Sequence, residues 1–141
     1  YRRVIAFYEE KGAYFMINVN AYQQYQHNSI MSASPERLMI MLFEGAIKFV
    51  RLARKDIEEK NIAGANYNLT RAQDIITELD QSLDMSYDIS EYLSGVYDFM
   101  YRQLVDANIK KDVQALGIVE SMLVDLKDTW SEAYFNLKKN A

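Results

Sequence analysis

In its 141 residues the chain has no cysteine, one histidine, one proline and five glycines. The lack of cysteine excludes disulfides, a thiolate nucleophile and any cysteine-based zinc site. Scarce proline and glycine leave few places to break a helix, which predicts long helices joined by short turns. Positive charge is in the minority, 16 Lys and Arg against 20 Asp and Glu, for a net charge of −4. That balance gives no electrostatic footprint for nucleic acid or for an anionic membrane. No uncharged run approaches the length of a membrane span, which argues against membrane insertion. The first residues also lack the basic-then-apolar order of a signal peptide. Half the residues are hydrophobic and about a quarter charged, enough for one domain with a sizeable core. The expectation is a single soluble, cytoplasmic domain.

What is present is unusual apolar breadth. Between Leu38 and Ala53 the charged residues Glu44, Lys48 and Arg51 join Arg37 and Lys55 on one helical stripe about 60° wide. Nearly every other position there is apolar. A surface helix ordinarily buries one stripe and wets the rest. Here Leu38, Leu42, Gly45, Ala46, Phe49 and Ala53 form an inward set, and Ile40, Phe43, Ile47 and Val50 form a second ridge. That ridge is either an exposed contact surface or a face over which another helix of the same domain wraps.

Four helical stretches are readable. Ser34-Pro35 starts the first, serine as N-cap and proline at the first helical position, and it runs to about Lys60. The second, from about Ile62 to Leu83, carries a narrow seam through Ala65, Leu69, Ala72, Ile76 and Leu79 at spacings of three and four. The third, about Tyr87 to Lys110, is again apolar on most sides, with Leu93, Val96, Met100 and Leu104 assigned to the core. Its aromatics Tyr92, Tyr97, Phe99 and Tyr101 are assigned partly to core and partly to contact surface, since tyrosine tolerates one wet and one buried end. The fourth, about Asp112 to Lys138, has a seam through Leu116, Val119, Leu123, Leu126 and Trp130. With such short turns, sequence neighbours pack antiparallel. The predicted class is all-α, an antiparallel up-down four-helix bundle over 34–141, preceded by an irregular or short-helical N-terminal arm over 1–33. Whether the first and third helices lie diagonally or side by side is left open.

Catalytic patterns are missing. A di-iron bundle needs inward Glu plus Glu-x-x-His pairs, and the single histidine, His27, falls in the arm. Glu44 and Glu120 read as solvated carboxylates. Without a phosphate loop or nucleophile elbow, the reading is a protein with no catalytic residue, metal or cofactor. In the arm, Tyr22-Gln23-Gln24-Tyr25 would place two rings on one side of a helical turn. Tyr22, Gln23 and Tyr25 are therefore candidates to cover the apolar ridge when no partner is bound.

The order of several segments resembles one family. These are Ala21-Tyr22-Gln23-Gln24-Tyr25, Ser32-Ala33-Ser34-Pro35-Glu36, Leu42-Phe43-Glu44-Gly45-Ala46-Ile47-Lys48-Phe49 and Ala72-Gln73-Asp74-Ile75-Ile76. Further on come Tyr97-Asp98-Phe99-Met100-Tyr101-Arg102, Ala107-Asn108-Ile109-Lys110-Lys111-Asp112 and Asp128-Thr129-Trp130. Together, over Met16 to Leu137, they look like the flagellar export chaperone family FliS. Met16 is then a candidate natural start, with residues 1–15 an extension. The resemblance implies a cytoplasmic chaperone that binds the disordered C-terminal region of flagellin and prevents premature polymerisation. It further implies delivery to type III flagellar export, contact with export apparatus components, and no cofactor. Ile40, Phe43, Ile47, Val50, Tyr92, Phe99 and Tyr101 are the expected flagellin contacts, along a groove on the first and third helices. The alternative is a symmetric homodimer through the same ridge.

Overall fold

The structure is a computed structural model and describes residues 34–139, without the side chains of Leu137 and Lys138. Four helices follow one another: α1 (Pro35–Glu58), α2 (Ile62–Gln81), α3 (Asp88–Lys110) and α4 (Val113–Lys139). Each boundary falls within two residues of the predicted one. Among the described residues there is no strand.

Local chemistry sets each boundary. The Ser34 hydroxyl accepts a hydrogen bond from the Arg37 amide at 3.2 Å, with Pro35 following at N1. α1 ends at Glu58, and in the turn that follows Lys60 takes a left-handed φ of 60°. Asn61 then caps α2, its side chain accepting from the Gly64 amide at 3.0 Å. Gly64 is required by close approach, because an added Cβ would lie 2.9 Å from both Asn61 Cγ and Asp56 Oδ2. α3 ends at Lys111, also left-handed (φ 53°). Its ammonium donates to Asn66 Oδ1 and to the Asn108 carbonyl, each at 2.6 Å, so it ties α2 to the end of α3. Asp112 caps α4, its Oδ1 accepting from the amides of Gln114 and Ala115 at 3.1 Å.

α1 packs on α2 and on α4, α2 packs on α3, and the α3–α4 contact closes the ring as the lightest of the four. α1 and α3 are therefore diagonal. The core is continuous, with Leu38, Leu42, Phe43, Ala46 and Val50 of α1 meeting Leu69, Ala72, Ile76 and Leu79 of α2. Tyr97, Met100 and Leu104 of α3 and Leu116, Val119 and Leu123 of α4 complete it.

Several corrections follow from this packing. Ile40, Phe43, Ile47 and Val50 do not form an exposed ridge: none is more than 4% exposed. Phe43, Ile47 and Val50 join the core that α1 shares with its neighbours, Ile40 is buried outside that cluster, and Phe49, expected inside, is left half-buried. Tyr97 belongs wholly to the core, while Leu93 and Val96 are only partly buried. Glu120 is also not a free surface carboxylate. It accepts from Arg51 Nε at 3.2 Å and Arg54 Nη1 at 3.0 Å, joining α4 to α1.

Candidate functional site

Exposed apolar surface collects on α3. The core-facing line of that helix runs Ser90, Leu93, Tyr97, Met100, Leu104, Ala107, at spacings of three and four. Tyr92 and Phe99 lie off this line, 68% and 40% exposed, and Tyr101 is 38% exposed. Between Tyr92 and Phe99 sits Gly95, around whose missing Cβ there is open space. Tyr92, Gly95 and Phe99 are three and four residues apart, so they share one helical face. The result is two aromatic rings separated by a bare stretch of backbone. A guest helix can approach such a gap closely.

The head of this line is extended by the α2–α3 turn, where Met85, Tyr87 and Ile89 are all well exposed. The turn is held by polar groups. The Asp84 carboxylate accepts from the Ser86 amide at 3.0 Å and the Ser86 hydroxyl at 2.7 Å, and the Ser90 hydroxyl donates to the Asp84 carbonyl at 2.6 Å. The Ser86 hydroxyl bond, with the amide second, lowers the Asp84 carboxyl below its ordinary value. A turn fixed by such bonds leaves its apolar side chains free to face outward.

Charge frames the line. Asp98 pairs with Arg102 at 3.0 Å and Asp106 with Lys110 at 3.2 Å, both as exposed one-turn pairs on α3. Each contributes little to stability. Tyr101 leans to the α2 side and forms the rim of a cleft of about 190 Å³ lined also by Ile76, Thr77, Asp80, Gln81, Tyr97 and Asp98. The Ser94 hydroxyl donates to Asp80 there at 2.6 Å.

Of the seven residues expected to form one groove, the structure exposes Tyr92, Phe99 and Tyr101 and buries Ile40, Phe43, Ile47 and Val50. Because α1 and α3 are diagonal, the two sets do not meet on one surface. Tyr22, Gln23, Tyr25 and His27 lie outside the described residues. Met85, Tyr87 and Ile89 were not expected as contacts. Their signal was available: once the α3 seam is drawn through Tyr97 rather than Val96, Ile89 is left off it. Among the described residues no three acidic or histidine side chains converge to hold a metal, and no helix is long and apolar enough to cross a membrane.

Comparison with known proteins bears on this surface. The family model described as Flagellar protein FliS matches residues 18–136. The chain is similar to the Flagellar secretion chaperone FliS of Bacillus subtilis (strain 168), 41% identical over 121 residues covering 86% of this chain and 91% of that one. It is 34% identical to the protein of that description from Salmonella typhimurium over 123 residues, 84% and 91% of the two chains. A solved structure described as "Crystal structure of flagellar chaperone from bacteria" superposes with a TM-score of 0.68 at 25% identity, covering 82% of this chain and 96% of the other.

Proposed function

The chain belongs to the FliS family of flagellar secretion chaperones, and from that premise we propose that it holds the disordered C-terminal segment of flagellin in the cytoplasm until export. The observation that carries this reading is the exposed line Tyr92–Gly95–Phe99 on α3, while Tyr101 faces the α2 side of the same helix. A terminal flagellin helix is a coiled-coil former whose apolar stripe lacks a partner before the filament assembles. Laid along α3, that stripe would find one, which is helix-in-groove recognition. Each large side chain covered contributes roughly 1.5–3 kcal/mol before ordering costs. Folding of the guest on binding buries on the order of 1,000–3,000 Å². The chaperone thereby competes for the surface that filament contacts would use and blocks premature polymerisation.

The action is binding alone, without catalysis or cofactor, and the loaded complex is what the export apparatus components would receive. Tyr92 and Phe99 make first contact in this scheme, and Tyr101 joins only if the guest also reaches the α2 side of α3. Phe43, Ile47 and Val50 are core and Ile40 is buried beside it, so these four reach the guest only if α1 is uncovered. A symmetric dimer through those four residues would likewise have to uncover Phe43 and Val50, both fully buried.

Titration calorimetry and circular dichroism with a peptide of flagellin's last several dozen residues test the proposal. Binding tighter than about 50 µM with a gain of helical signal is expected. No heat and no added helix at that concentration would overturn it.

A further inference from the structure

The outer face of α3 mirrors its own chemistry about one residue. Asp88, Tyr92, Gly95, Phe99 and Arg102 follow one another at spacings of four, three, four and three, and every one of them is exposed. Such spacing draws a second seam along the helix, on the side away from the core line. Gly95 is its centre, with open space where a Cβ would be. One ring, Tyr92, stands a turn before it, and another, Phe99, a turn after it. Two turns before it is a carboxylate, Asp88, and two turns after it a guanidinium, Arg102. Arg102 reaches Asp98 through one nitrogen, Nη2, at 3.0 Å, and the arginine fork has further donors. That pair is exposed on both sides and contributes little, so Arg102 is available to a second carboxylate.

We infer that a second copy of this chain docks on this face, α3 against α3 and antiparallel, with a two-fold axis through Gly95. A two-fold contact must be self-complementary, each residue facing a partner that faces it in return. With the axis at Gly95, Asp88 of one copy meets Arg102 of the other, and the pairing occurs twice. The Tyr92 ring of each copy lies beside the Phe99 ring of the other, in reach of an offset or edge-to-face contact. Bare backbone at Gly95 lets the two helices approach where they cross. A parallel arrangement would instead set Asp88 on Asp88 and Arg102 on Arg102. One helix pair buries less than the roughly 1,200 Å² of a stable specific interface, so the dimer is weak and dissociable. It covers Tyr92 and Phe99 while no guest is present and gives way when one binds. That displacement rests on the proposed function, whereas the self-contact does not.

Sedimentation equilibrium of the full chain from about 10 µM to about 1 mM tests the pairing. The proteins are wild type, Asp88→Arg, Arg102→Glu, and the double variant that exchanges the two charges. Within one copy these positions are about 21 Å apart along the helix, too far to interact, so only contact between copies couples them. Wild type is expected to dimerise within that range. Each single variant should dimerise about tenfold more weakly, and the double variant within about threefold of wild type. All these positions are exposed, and unchanged melting checks that the fold is kept. A wild type that stays monomeric throughout, or single variants that dimerise as it does, refutes the α3 pairing. So does a double variant no stronger than the singles. Excess flagellin C-terminal peptide is then added to the wild-type dimer, and one-to-one complexes are expected. A peptide that binds while the dimer persists refutes the covering role. A dimer rescued by the charge exchange, with a peptide that never binds, upholds the self-contact and removes the guest assignment.

Discussion

At position 97 a phenol is sealed inside the bundle, and its chemistry sets an alkaline limit on stability. Burial chiefly, and the nearby charge of Asp80 second, raise its ionisation above the ordinary tyrosine value near 10. Below that value the phenol is neutral in both folded and unfolded chains, and its contribution to stability is fully present. Above it the unfolded chain loses the proton first, so stability is lost as pH rises. From pH 8 to 11 wild type should lose up to about 1.4 kcal/mol per pH unit above 10 through this group. In Tyr97→Phe that loss should be absent. Urea unfolding at the two pH values measures it, and equal losses in both proteins would refute the assignment. The sequence left Tyr97 between core and surface because α3 has apolar residues on most sides, so its period did not single out one seam. The distinction needs the position of α2, which supplies both Ile76 and Asp80.

Among the helices, ends were more legible than faces. Ser34-Pro35, Asn61 and Asp112 announce three N-termini by their own hydrogen-bonding chemistry, which is local and so readable without the fold. The left-handed ends at Lys60 and Lys111 carry no glycine to mark them. Lys111 is instead held by a local bond to Asn108 and by one to Asn66, and the latter depends on α2 being alongside. Glycine within the helices divides in the same way. Gly45 faces Ile75 Cδ1 at 3.3 Å from its would-be Cβ, and Gly64 is crowded by its own cap, but Gly95 meets nothing. Gly95→Ala should therefore raise stability by up to about 1 kcal/mol, the helix-propensity difference with no packing cost. Gly45→Ala should gain less or lose, because the Ile75 δ-methyl must give way slightly to admit the new one. Thermal melting of the two variants checks this, and a Gly95→Ala protein that melts below wild type would show that α3 is not open at that point.

For the molecule as a whole, fold class and helix order followed from turn chemistry and from the four apolar stretches, and the resemblance read over Met16 to Leu137 agrees with the family match over residues 18–136. The binding surface was less legible. Breadth of apolar sequence is the same signal whether it serves two intramolecular neighbours or one neighbour and a guest. α1 and α3 share that breadth. α1 packs against α2 and α4 more extensively than α3 packs against α4, so α1 absorbs its surplus as core and α3 keeps part of its own outside. The difference yields opposite outcomes for like substitutions. Ile47→Asp places a carboxylate at a position 4% exposed and should lower unfolding free energy by more than about 3 kcal/mol. Phe99→Asp and Tyr92→Asp change exposed positions and should shift stability by less than about 1 kcal/mol. Each should nonetheless weaken flagellin-peptide binding about tenfold, the worth of one covered aromatic side chain. Urea midpoints and calorimetry on the three variants separate the two roles. If Ile47→Asp unfolds like wild type while losing the guest, α1 is the contact surface after all and α3 only its support.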